Sequence, residues 1–332
     1  METNKAVSDL LFSSLQSRWE KYNQELARCQ EMFSEEAVHD LRVATRRLLA
    51  LLDLIGILYP NARTQDTLLS LKDQLDSYDD LRDTQVMLLE INQRLEEFPT
   101  LTNFQKFIAK REKRLLKAAA KNVKSYKLNV LSKRINAILK LIQRPKKDPS
   151  LLRKNLSQTI DDVYASVLKR FRRIDPNIPP TIHRLRVRFK KFRYMVECIY
   201  PLIPDFPETN LRNMHDYQTL MGNIQDIEVL LSTLNTFAAK KNGHALNPVV
   251  ESYQNQHTRT IQAYIERKDE LSLFWRSSPK QPFPWEKQPL EVTPSTKKSR
   301  RKAKAIALQA DKETRPETNI NPMIEEQNAS TS

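Results

Sequence analysis

Apolar residues recur at helical spacing along most of the chain up to about residue 275, with polar residues filling the other positions. Leu10, Leu11, Leu15, Trp19 and Tyr22 predict a first helix from about Lys5 to Met32. Ser34 stands where an N-cap belongs, with Glu35 and Glu36 in the turn that follows. The second helix then buries Leu41, Leu48 and Ile55 and stops near Pro60. A third runs from about Ala62 to Ser77, and a fourth covers Leu81 to Leu95 before Pro99. From Leu101 to Ile142 the pattern is a long basic helix or a pair of helices, with Phe104, Ile108, Leu115 and Tyr126 inward. RPKKDP, from Arg144 to Pro149, reads as a linker.

The same plan then returns. A helix from Ser150 to Ile174 leads through DPNIPPT, where Thr181 is a candidate cap, into one from Ile182 to about Pro201 with Leu185, Phe192 and Ile199 inward. Thr209 to Met221, a segment from Ile224, and Pro248 to Trp275 follow. The repeat is literal at one place: VHDLRVATRRL (Val38–Leu48) comes back as IHRLRVRFKKF (Ile182–Phe192). Each copy sets a histidine with basic residues three and seven positions on: His39, Arg42 and Arg46, then His183, Arg186 and Lys190. Residues so spaced stack one turn apart on one helix face, opposite the apolar one. Arg193 extends the second stripe where the first has Leu49, and an acid, Asp53 or Glu197, closes each. LRDTQVMLLEI from Leu81 is echoed by IQDIEVLLSTL from Ile224, so Asp83 corresponds to Asp226. These two acids are candidates for orienting an Arg or His of a neighbouring helix. The chain is therefore expected to be all-α and internally duplicated, with repeats over 1–143 and 150–277, a linker at 144–149, and a disordered basic, Pro-rich tail over 278–332.

Composition sharpens this. Only 3 of 332 residues are Gly, against a usual share of about 7%. Sheets and tight hairpins consume glycine, so its scarcity favours helices. The formal charge of +15 favours a polyanionic partner: nucleic acid, an anionic surface or a phosphate polymer. Lys106, Lys110, Lys113, Lys117, Lys121 and Lys124 form a second cationic ridge, and Arg172 and Arg173 add a smaller patch. No run reaches the roughly 18 apolar residues that span a bilayer. Cys29 and Cys198 lie far apart in sequence and form no metal-ligand pattern. A cytoplasmic protein without membrane insertion is expected, as is a buried Cys198.

Catalysis finds little support. His39-Asp40 resembles part of a metal phosphohydrolase, but the second copy has Arg184 in place of Asp40. His215, His244 and His257 have no ligand spacing, and no glycine-rich phosphate loop or nucleophile motif occurs. No metal, no cofactor and no enzymatic activity are expected.

The two histidine segments, with LRD and IQD further along each half, resemble the CHAD (conserved histidine α-helical domain) family over about Asp9 to Trp275. The resemblance implies two pseudo-symmetric helical bundles with both stripes facing a shared basic groove, and it implies binding of inorganic polyphosphate. It carries the family's basic positions to His39, Arg42, Arg46, Arg47, His183, Arg186, Lys190, Lys191 and Arg193. The E-x-E-x-K signature of the triphosphate-tunnel domain that often adjoins this family is absent, so no triphosphatase activity is carried over. Two other readings stand beside this one: a nucleic-acid-binding helical protein, and a scaffold that recruits a partner to polyphosphate granules.

Overall fold

The computed structural model of the chain describes residues 2–126, 128–144, 149–240 and 244–286. All described regular structure is helical: α1 (Glu2–Glu31), α2 (Glu35–Leu58), α3 (Ala62–Asp76), α4 (Asp79–Gln93), α5 (Thr102–Ser125), α6 (Leu128–Ile142), α7 (Pro149–Phe171), α8 (Pro180–Ile199), α9 (Thr209–Lys240) and α10 (Asn247–Arg267). The basic stretch after Leu101 is thus a pair of helices. Most of the expected linker, residues 145–148, lies outside the described residues, as does the expected tail from 287 onward.

The local signals act as their chemistry dictates at the start of α2. Ser34 takes an extended backbone and its hydroxyl accepts from the Ala37 amide at 3.1 Å, satisfying one of the donors a helix start leaves free. Thr181 does not cap α8. The helix begins a residue earlier, at Pro180, whose missing N–H costs nothing in the first turn. The Thr181 hydroxyl instead donates to the Ile178 carbonyl at 2.7 Å and ties the preceding loop. Where two segments were expected after Pro204, α9 is one helix of 32 residues with Gly222 inside it.

Leu41, Leu48 and Ile55 of α2 and Leu185, Phe192 and Ile199 of α8 are all buried in one large core that draws on both halves. A smaller apolar cluster joins α4 and α5 to α9 and α10, around Met87, Ile91, Phe104, Leu230, Leu234 and Tyr253. The helices α4 and α9 run from one cluster to the other. Buried apolar surface contributes about 25 cal/mol per Å², so these two clusters hold the halves together.

The chain beyond Trp275 corrects the expected start of the tail at 278. Phe283 and Trp285 stack on each other and meet Trp275 edge-on, and Trp285 also meets Phe206. The buried Asp161 carboxylate of α7 anchors this segment, accepting from Trp275 Nε1 at 2.9 Å and from Arg276 Nε and Nη2 at 2.9 and 2.6 Å. Removing one partner of a buried ion pair leaves the other charge stranded, at a cost of about 3–5 kcal/mol. Asp161→Ala is accordingly expected to lower stability by about 3 kcal/mol, read by urea unfolding, with a red shift of tryptophan emission as the aromatic cluster loosens.

Candidate functional site

The duplicated segments meet. α2 packs on α8, and each contributes cations to one cluster. Arg46 of α2 feels Arg42 on its own helix and Arg186 on α8, while Lys190 of α8 feels Arg46, Arg186 and Arg42. The starts of α4 and the middle of α9 complete the surroundings: Asp79, Arg82 and Asp83 from one, Gly222, Gln225 and Asp226 from the other.

Burial and concentrated positive charge act together on these groups. Burial, then Arg46, Arg186 and Arg42, push the Lys190 ammonium down to about 7, with Asp79 acting the other way. Burial, then Arg42 and Arg186, also lower Arg46, against Asp79. His39 is pulled below its ordinary value by loss of solvation and by Arg82, Arg46 and Arg42, against Asp40. His183 is pulled down by loss of solvation and by Arg186, Lys190 and Arg184, against a hydrogen bond with Gln225. The Nε atoms of Arg46 and Arg186 and the Nδ1 of His183 are buried with no hydrogen-bond partner. Such orphaned polar atoms are costly. Arg46 and Arg186, which carry two of these donors, are also the nearest cations that lower Lys190.

The two halves are not equivalent. Arg42 is buried, donating from Nη2 to Asp79 Oδ1 at 2.7 Å and from Nη1 to the Leu75 carbonyl at 3.4 Å. Arg46 Nη2 lies 3.9 Å from the same Asp79 oxygen. Arg186 makes no ion pair among the described residues, and its guanidinium lies along α9 at Gly222, where an added Cβ would stand 3.7 Å from Nε and Nη2. The carboxylate that orients a stripe arginine is therefore Asp79, in place of the expected Asp83. Among the described residues neither Asp83 nor Asp226 forms an ion pair, although both sit in the field of Arg186. Loss of solvation raises both, with Asp79 adding to Asp83 and Asp83 adding to Asp226.

Three of the expected basic positions are taken up elsewhere. Arg47 Nε lies 3.7 Å from Glu197 Oε2, and Lys191 Nζ lies 2.8 Å from Asp53 Oδ2. The acids that close each stripe thus bridge to the opposite helix, and the two pairs exchange when the halves are exchanged. Arg193 is buried, bonded to Gln218 Oε1 at 3.0 Å and to Glu197, with its guanidinium over the Tyr194 ring. Beyond it, a cavity of about 800 Å3 is lined by Arg18, Lys21, Arg47, Arg193, Arg212 and His215, with Asp40 and Glu197 as its acids. Arg18, Lys21 and Arg212 were not singled out from sequence, because the first two lie in α1 and the third in α9, outside the repeated segment.

The lysine ridge does not join this site. Lys106, Lys110, Lys113, Lys117, Lys121 and Lys124 are all exposed on α5 and none acts on Arg46 or Lys190. Arg172 and Arg173 are exposed just past α7 and are equally separate. Cys29 and Cys198 are free and buried, and burial raises both thiols, to about 12 and about 11. Among the described residues no three His, Cys, Asp or Glu side chains gather as a metal site requires, and no helix is long and apolar enough to cross a membrane.

A family model described as the CHAD domain matches residues 13–235, well over half of the chain. The fold is similar to the crystal structure of the CHAD domain from the plant Ricinus communis, with TM-score 0.57, 19% sequence identity, and coverage of 80% of this chain and 89% of that one. It is also similar to PptA from Streptomyces chartreusis, with TM-score 0.60, 13% identity, and coverage of 80% and 98%. At such identities the likeness is one of fold. No curated protein matches the sequence at a significant level.

Proposed function

The chain belongs to the CHAD domain family, and from that membership we propose that it binds inorganic polyphosphate, without catalysis, in the groove where α2 meets α8. One observation carries the reading. Arg42, Arg46, Arg186 and Lys190 come from two repeats and converge on one place, where burial and mutual repulsion leave Lys190 at about 7. A protein does not gather such charge without cost, and a linear polyanion is the ligand that relieves it along a row. A helix repeats every 5.4 Å, so each stripe offers a cation at every turn. Arginine can take two phosphate oxygens at once, and lysine acts as a point charge. The open cavity beyond Arg193 extends the basic surface further along α8.

Membership alone does not separate polyphosphate from nucleic acid, and the exposed ridge on α5 is the kind of surface that attracts any polyanion. Competition separates them. Labelled long-chain polyphosphate, bound to the protein at fixed salt, is displaced with unlabelled polyphosphate, duplex DNA or single-stranded RNA at matched phosphate. Polyphosphate is expected to displace at least tenfold better, since neither stripe carries the interleaved aromatics that stack bases. Equal displacement would leave a general polyanion surface. Preferential displacement by RNA would favour the nucleic-acid reading.

A further inference from the structure

One departure from the sequence repeat lies at a pair of positions beside the stripes. LRDTQVMLLEI and IQDIEVLLSTL align Asp83 with Asp226, so Asp79 aligns with Gly222. In the first half Asp79 Oδ1 lies 2.7 Å from Arg42 Nη2 and 3.9 Å from Arg46 Nη2, within reach of two successive cations of the stripe. In the second half the matching position has no side chain. Arg186 lies against its backbone, with its Nε buried and unbonded. The local folds differ as well. α3 and α4 break before Asp79 and present it in the first turn of α4, while α9 runs unbroken through Gly222.

We propose that Asp79 is an internal competitor of the ligand, occupying in the empty protein a phosphate position on the first stripe, and that Gly222 leaves the second stripe open, so that a polyanion is captured on Arg186 and Lys190 first and extends to Arg42 and Arg46 only by displacing the Asp79 carboxylate. This rests on the polyphosphate reading and refines it. The acids nearest the open half, Asp83 and Asp226, are held in the field of Arg186 but pair with no cation among the described residues, so they do not play the part of Asp79 there. A Cβ added at 222 would meet Arg186 at an ordinary contact distance of 3.7 Å, so a side chain can start there without a backbone clash.

The test uses the full chain, labelled long-chain polyphosphate, and titrations at several salt concentrations. Asp79→Asn keeps the shape of the side chain and removes the competing charge. It is expected to bind about five- to tenfold tighter, with the slope of log affinity against log salt steeper by roughly one, since one more cation is free to release a counterion. Gly222→Asp supplies Arg186 with the partner it lacks. It is expected to bind about tenfold more weakly, with a shallower slope, and to melt higher in the absence of ligand. A purely structural role for Asp79 would change melting temperature and leave the salt slope alone. Unchanged or weaker binding by a folded Asp79→Asn overturns the competition, as does wild-type binding by Gly222→Asp. Failure of the wild type itself to bind polyphosphate is a separate result and removes the polyphosphate reading along with the competition.

Discussion

Replacing Arg186 by Gln and Lys190 by Met together is expected to weaken long-chain polyphosphate binding about 100- to 1000-fold while raising the melting temperature of the empty protein. Each charge-assisted hydrogen bond to an ionised group is worth about 1.5–3 kcal/mol, so losing two such anchors accounts for the loss in affinity. Arg186 has no ion pair to break among the described residues, which makes this substitution cleaner than one at Arg42, where Asp79 and the Leu75 carbonyl would lose their partner. The gain in stability follows from the direction of the Lys190 shift. The folded protein holds this ammonium at about 7, below the value of about 10.4 in an unfolded chain. The charged form is thus disfavoured by folding, and the penalty is complete below about 7 and fades as pH rises toward the unfolded value. A neutral side chain of similar length removes it. Titration of labelled polymer and a thermal melt on the same sample check both effects. Loss of binding together with loss of stability would mean that the pair serves the fold instead of the ligand.

Affinity should also fall steeply as pH is raised above neutrality. In the empty groove Lys190 is about half protonated near pH 7, and a phosphate placed beside it favours the charged form. Above that pH the protein must take up a proton to bind. Each further unit then costs up to about tenfold in affinity until the lysine of the complex itself discharges. Lys190→Arg keeps its charge throughout and should flatten this alkaline limb. The histidines govern the other end. His39 and His183 are both held below the ordinary histidine value, so their contribution appears only as pH falls below about 6.5. Substituting both by Ala should abolish the acid limb and spare the alkaline one. Titrations between pH 5.5 and 9 at constant ionic strength, for the wild type, Lys190→Arg and the double histidine variant, read the two limbs separately. An alkaline limb that persists in Lys190→Arg would assign it to another group.

The stripes were legible because helical spacing is a one-dimensional property. Three- and seven-residue steps place His39, Arg42 and Arg46 on one face whatever the rest of the chain does, and the second copy repeats the argument. What each cation touches was not legible. Arg42 owes its burial to a residue 37 positions away. The apolar pattern of the fourth helix begins at Leu81, two residues after the true start at Asp79. That small boundary error hid the one carboxylate that matters most to the first stripe. The alignment of the repeats did contain the signal, since it sets an acid opposite a glycine. Similarly, Asp53 and Glu197 were visible as matching acids, but their partners Lys191 and Arg47 lie on the other repeat, and only packing could pair them. Proline-rich composition concealed the order of residues 278–286, where the contacts of Phe283 and Trp285 with each other and with Trp275 override it.

The crossed pairs Asp53–Lys191 and Glu197–Arg47 carry a consequence for how such a molecule arises. Each repeat brings one acid and one base at matching points of the same helix, so the surface around them is complementary to itself. That is the requirement for an isologous contact between identical subunits. A half-length polypeptide bearing such a surface could associate with its own twin through the same bridges. Joined head to tail in one gene, the two copies would retain the old subunit contact as an internal seam, free thereafter to diverge at positions such as 79 and 222.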